Sequence, residues 1–279
     1  MRAAAEKAQD GFVVTYTGRG ATSRRDINIS IESAPAGSGV IFRAGPTSDY
    51  VTIPARASSV VNTLRNVVVG KGAVRICIVE HLLAALAIWG LEDVIVGVDG
   101  PEIPLGDGSA AFWVGLFEKQ GIAKREIEAT IDLAETFTIN NKDRSLIAIP
   151  DSKFSITYLM DWNHPLIQKR WQTWEPAHGV EAIAKARTFA SLKEHQLLGL
   201  DKDLVSLTEN GFTSALHFDD EPVRHKLLDL LGDLMLCGVN PMKVKARFIS
   251  IKGGHEMDVQ LASHLERMLI DNKTLPACF

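Results

Sequence analysis

The chain has 279 residues, 46% hydrophobic and 23% charged, with a formal net charge of −4. This is ordinary globular composition, and the length admits one large or two medium domains. Arg24-Arg25 and Lys169-Arg170 are only short basic pairs, so the charge pattern speaks against a nucleic-acid binder. The three cysteines, Cys77, Cys237 and Cys278, show no C-x-x-C spacing, which favours a reducing compartment over a disulfide scaffold. Cys77 and Cys237 have apolar neighbours and read as small core residues. The opening MRAAAEKAQDGFVV lacks an apolar signal region, and no run approaches the ~18 apolar residues of a membrane span. A cytoplasmic protein without a membrane segment is expected.

In chain order, VVTYTG (13–18), DINISIES (26–33), GVIFRAG (39–45) and YVTIPA (50–55) are β-branched or aromatic runs broken by turn formers, and predict strands. ICIVEHLLAALAIWG (76–90) predicts a helix ending at Gly90. DVIVGVDG predicts a strand, PEIPLGDGSA a turn-rich stretch, and AAFWVGLFEKQG a helix closing near Gly121. The charged run from Lys124 to Glu128 marks a junction. Beyond it EATIDLAETFTI, RSLIAIP and KFSITYLMDW predict strands, 222–237 a helix, VKARFISIKGG a strand, and 258–270 a last helix.

The two halves share an order: strands, a helix with paired leucines, a glycine stop, a strand, a final helix. This weak repeat predicts an α+β fold of two similar units, 1–123 and 124–279, each a sheet layered on helices with a shared cleft. The segment DWNHPLIQKRWQTWEPAHG (161–179) departs from it, with three tryptophans among polar residues. It reads either as a loop that buries its aromatics locally or as an insertion walling an apolar channel.

In EPVRHKLLDLLGDL (221–234), Leu227, Leu231, Leu234 and the following Met235 share one helix face, while His225, Asp229 and Gly232 share the other. Residues four apart project side by side and suit two ligands of one cation; imidazole with carboxylate suits zinc or another divalent first-row metal. Gly232 costs about 1 kcal/mol against alanine and would permit close approach of another element. Alone, the pair reads more simply as a solvated face. Glu80 and His81, however, sit in a helix that is apolar nearly all round, where imidazole and carboxylate both need partners. His81 is the candidate third ligand and Glu80 the candidate base beside an activated water; a satisfied core histidine and a helix-edge glutamate are the alternative. GGHEM (253–257) places His255 at a tight turn, as a general acid or a surface histidine. Asp233, one turn beyond Asp229, could hold an imidazolium. Lys226 could stabilise an oxyanion, or be one more surface lysine.

Together, APAGSGVIFR, VEHLLAAL, PEIPLGDGSAA, NHPLIQ, ARTFA, FDDEPVRHKLLDLLGDLMLCG and GGHEM resemble the zinc-dependent UDP-3-O-acyl-N-acetylglucosamine deacetylases of lipid A biosynthesis, from about residue 13 to 265. The resemblance implies two similar α+β domains with the active site between them. It implies zinc on His81, His225 and Asp229, with Glu80 as base and His255 as acid oriented by Asp233. Thr188 and Lys226 would steady the oxyanion, Phe189 and Lys226 would contact substrate, and the Trp-rich segment would form the acyl passage. The implied substrate is a UDP-linked acylated amino sugar, and a monomer is expected. The chain departs from the family pattern at GRGATSR (18–24), where Thr22 stands at the usual histidine position. It departs again at NTLRNVVV (62–69) and in the short DLVSLTENGFTSA (203–215) that replaces a glycine-rich loop. A divergent paralogue acting on another N-acyl amino sugar or small amide is the alternative activity. A non-catalytic binder would have no need of both acid and base.

Overall fold

The computed structural model describes residues 11–45, 49–200, 202, 204–272 and 274–275; the opening residues 1–10 and Cys278 lie outside them. The alternating runs of the first half form a five-stranded sheet, in the order Val13–Arg19, Asp26–Ser33, Val94–Val98, Val40–Ala44, Val51–Pro54. Neighbours are antiparallel except the pair Val94–Val98 and Val40–Ala44, which is parallel with Val96 opposite Phe42. The period of two puts Ile27, Ile29 and Ile31 on one buried face.

The second half builds the same arrangement. Its strands lie in the order Phe137–Asn141, Arg144–Pro150, Val244–Ile251, Ser155–Asp161, Lys169–Trp174, and Ile131–Asp132 pairs with the start of Val244–Ile251. In both sheets the last strand enters the centre, antiparallel to the second member and parallel to the third. The repeat is therefore one of topology. The class is α+β, and the buried apolar side chains of both halves form one continuous cluster.

The helices are α1 (Glu80–Trp89), α2 (Ala111–Lys119), α3 (Glu181–Ala184), α4 (Leu192–Leu198), α5 (Glu221–Leu234) and α6 (His255–Asp271). α1 is buried from Glu80 to Ile88 and ends at Gly90, whose φ of 76° is the left-handed cap that glycine adopts without strain. α5 runs into a 3-10 turn, Met235–Cys237, and stops at Gly238 in the same conformation. α1 packs on α2 and α5, and α5 on α6. The α1–α5 crossing is unusually close: a Cβ on Gly232 would fall inside contact distance of the Glu80 carbonyl oxygen and crowd the Ala84 amide.

Four expectations are corrected. The helix over 76–90 starts only at Glu80, because Val74–Cys77 closes a small sheet with Val60–Asn62 and Val68–Lys71, and Ile78 breaks the backbone with φ 61°. The Trp-rich segment is loop only in part, over 162–168 between the strands Ser155–Asp161 and Lys169–Trp174. Lys169–Trp174 is the edge strand of the second sheet, with Trp171 exposed and Trp174 buried on alternate faces, the Trp174 Nε1–H donating to the Gly179 carbonyl (3.0 Å). The extra unit of this half comes later, as Phe189–Ser191, α4, Val205–Thr208 and Gly211–Phe212. Cys77 is only half-buried, since it ends an edge strand, whereas Cys237 is fully buried. Finally, α6 begins at His255 and not near 258, for Gly254 (φ 140°) turns the chain directly into it.

Replacing a helical glycine by alanine normally stabilises by about 1 kcal/mol. At position 232 the new methyl meets backbone rather than a movable side chain, and overpacking costs about 1–3 kcal/mol. Gly232→Ala is expected to lower the thermal and urea midpoints; a rise in both would contradict the close α1–α5 approach.

Candidate metal and catalytic site

His81, on the first turn of α1, and His225 and Asp229, one turn apart on α5, come together in the interior, each 3% exposed. Their ligating atoms lie within 4.8 Å of one another. Asp229 Oδ1 is 3.2 Å from His225 Nε2 and 3.6 Å from His81 Nε2, and the two imidazoles meet edge to face, 84° apart. The face read alternatively as solvated is thus buried against α1.

The donor set fits a cation. Tetrahedral ligands with bonds of about 2.1 Å stand about 3.4 Å apart, close to the spacings seen. His225 donates Nδ1–H to the Ala186 carbonyl (3.1 Å), which leaves the Nε2 lone pair facing the cluster. Burial pushes the His225 imidazole down to about 3, so it is neutral and can ligate. Asp229 Oδ1 is buried with no hydrogen-bond partner among the described residues, an arrangement that is unfavourable unless a positive charge supplies what is missing. Burial opposes the Asp229 charge, but the Lys226 ammonium outweighs it and holds the carboxyl well below the usual carboxylate range.

Glu80, the first residue of α1, is 3% exposed, and its Oε2 accepts the Val67 backbone N–H (3.0 Å). The small sheet therefore anchors the candidate base. His255 Nδ1–H donates to Asp233 Oδ2 (2.7 Å), joining the start of α6 to α5. Burial disfavours the imidazolium, yet the anions Asp233, Asp229 and Glu80 raise His255 to about 10. Burial lifts Asp233 to about 6, with His255 pulling in the opposite direction. His255 is therefore protonated at neutral pH, with Nε2 as its second donor.

Lys226 is not a free surface lysine. Its Nζ donates to Asp229 Oδ2 (2.7 Å), and although burial opposes its charge, Asp229 holds it above the ordinary lysine value. Phe189 stands edge-on to His225 (centroids 6.4 Å) and against Trp162 (5.2 Å). Thr188 is tied in through its backbone N–H, which donates to the Gly108 carbonyl (2.7 Å). Beside the cluster lies a cavity of about 250 Å³ lined by Tyr158, Met160, Trp162, Lys226, Lys252 and Gly253.

Two groups here were missed in the sequence. Tyr158 is apolar-patterned within its strand, and its hydroxyl is held un-ionised by burial. Asp258, one turn after His255, is fully buried with neither carboxylate oxygen partnered among the described residues; burial and the nearby Asp233 raise it well above the usual range. Its three-residue spacing from His255 on a helix was the available signal.

Comparison with known proteins bears on this geometry. The family model for UDP-3-O-acyl N-acetylglycosamine deacetylase matches residues 12–267. The chain belongs to that family. It is 36% identical over 269 residues to the UDP-3-O-acyl-N-acetylglucosamine deacetylase of a Nostoc species and 34% identical to that of Trichormus variabilis, in each case covering 90% of this chain and 95% of the relative. The deacetylase of a Geobacter species is 31% identical over 268 residues, covering 91% of this chain and 87% of that protein.

In this member of the deacetylase family, the departure at GRGATSR has a structural account. The fully buried Glu102 accepts the Thr22 N–H (3.0 Å), the Thr22 hydroxyl (2.9 Å) and the Ser23 N–H (2.6 Å). Thr22 thus clamps PEIPLGDGSA to the start of the first sheet.

Asp233→Asn removes the anion that most favours the imidazolium. The His255 titration, followed by NMR of its ring protons, is expected to fall from about 10 toward the ordinary histidine value. An unmoved titration would mean that Asp233 does not set it.

Proposed function

We propose that this chain hydrolyses the N-acetyl group of UDP-3-O-acyl-N-acetylglucosamine, releasing acetate, in lipid A biosynthesis, with zinc held by His81, His225 and Asp229. The observation that carries this reading is the convergence of those three donors, one from the first half and two from the second, in a chain of this deacetylase family. Bound there, the cation acidifies water and polarises the amide carbonyl.

The protein's own groups divide the remaining work. Glu80 keeps Oε2 on the Val67 amide and takes the proton of the attacking water on its other oxygen. His255, charged and fixed through Nδ1 by Asp233, delivers the Nε2 proton to the leaving amine. Thr188 and Lys226 stand as donors for the oxyanion, where one preorganised donor is worth about 2.7–4 kcal/mol. Phe189, backed by Trp162, offers an apolar surface beside the cluster that suits the fatty acyl chain. We divide the chain into units 1–123 and 124–279, whose shared strand order supports the division. We read it as a cytoplasmic monomer, a reading in keeping with free Cys77 and Cys237. Among the described residues no helix is long and apolar enough to cross a membrane.

The Thr22 clamp and the short 203–215 segment favour one second reading, hydrolysis of another N-acyl amino sugar. Acetate release from the UDP-linked acylated sugar, compared with the same sugar lacking the acyl chain, separates the two. Turnover of the acylated compound alone supports the first reading, and turnover of neither removes it.

Glu80→Gln is expected to lower kcat by about 10²–10⁴ while stoichiometric metal remains. Full activity would remove Glu80 as base. His225→Ala and Asp229→Ala are each expected to lose metal on dialysis, measured by elemental analysis; retained stoichiometric zinc in both would contradict the ligand assignment.

A further inference from the structure

Glu221 opens α5, one turn before His225, and is 2% exposed. Its Oε1 accepts the Arg187 backbone N–H (2.9 Å) and Nε–H (2.9 Å). Its Oε2 accepts Arg187 Nη2–H (3.1 Å) and the His217 backbone N–H (2.6 Å). Arg187 Nη2 also donates to the Ala215 carbonyl (2.7 Å). That is far more bonding than closing a helix end requires, and it is centred on one peptide unit.

The peptide linking Ala186 to Arg187 has its N–H on Glu221 and its C=O on His225 Nδ1–H. A trans peptide points these two groups in opposite directions. Residues four apart on a helix lie about one turn, 5.4 Å, from each other on one face. Glu221 and His225 therefore grip the same peptide from its two polar ends. The carboxylate polarises the N–H, and a polarised peptide is a stronger acceptor at its oxygen. A stronger acceptor fixes the proton on His225 Nδ1 and makes Nε2 the more basic nitrogen.

We propose that Glu221 is a positioning residue for the ligand His225, setting its tautomer and the basicity of Nε2 through the Ala186–Arg187 peptide. The proposal rests on the metal-dependent reading above. The bonds that hold this peptide also anchor the neighbouring Thr188 and Phe189, so the carboxylate registers the whole segment against α5.

The test uses the full chain, with Zn2+ as probe. Zinc affinity is measured by chelator competition, and the His225 tautomer by ¹⁵N NMR of the metal-free protein. Glu221→Ala is expected to weaken zinc binding about 10–100-fold and to replace the Nδ1–H form by a mixture of tautomers. Glu221→Gln keeps one acceptor for the peptide N–H and is expected to fall between; it also carries the test if the alanine variant does not fold. Arg224→Ala breaks the Asp220–Arg224 pair and the Arg224 bond to the Ala182 carbonyl at the same helix end, but leaves the Ala186–Arg187 peptide contacts intact, and is expected to change neither quantity. Wild-type affinity and tautomer in the Glu221 variants overturn the proposal. So does an equal loss in Arg224→Ala, which would mean a general loosening of the helix start. The tautomer is read without metal, so its failure is distinct from failure of the deacetylase reading, which would show as a wild-type chain holding no stoichiometric zinc.

Discussion

The two helices that carry the buried His-His-Asp cluster come from different halves of the chain, and their backbones come nearly into contact. That approach depends on a single missing side chain. Gly232 lets α5 press against the carbonyl of Glu80, so that His81 on α1 reaches across to His225 and Asp229. The rest of the interior follows from that approach. α1 is apolar nearly all round because it is enclosed, and its two polar residues sit on its first turn, where α5 passes.

Enclosure makes the electrostatics severe. Asp229, Asp233, Asp258, Lys226, His225 and His255 share an enclosed space; burial drives the shifts of His225, Asp233 and Asp258, whereas neighbouring charges carry Asp229, Lys226 and His255 the other way. The displacements are ordered. The His225 imidazole is neutral and the His255 imidazole at the head of α6 is charged, though both are enclosed. What separates them is the partner of Nδ1: a backbone carbonyl for His225, a carboxylate for His255. Two identical side chains thereby hold opposite charge states.

Much of the fold could be read from residue patterns. DINISIES and RSLIAIP coincide with their strands because one face is buried and the period of two is unbroken. Glu80 and His81 stood out because nothing else polar shares their helix. What escaped depends on pairings between distant segments. The contact of Glu221 with Arg187 spans 34 positions, and that of Thr22 with Glu102 spans 80, so no local pattern announces either. The edge strand Lys169–Trp174 did carry its signal, exposed Trp171 against buried Trp174. The surrounding charges and prolines masked it, because an edge strand needs only one apolar side. The start of α6 was set a few residues late because two glycines look like a loop when the second of them in fact caps the helix.

The strand order has a bearing on how the molecule comes into being. Each sheet receives its middle member last, so neither is closed until the final strand of its half has been inserted between two already made. For the second sheet that strand is Val244–Ile251, and His255 follows it almost at once. A nascent chain would hold His81 long before the strand that seals the sheet beneath α5, but His225 and Asp229 only shortly before it. Closure of the scaffold beneath α5 therefore waits on pairings far apart in sequence, and such pairings make for slow folding.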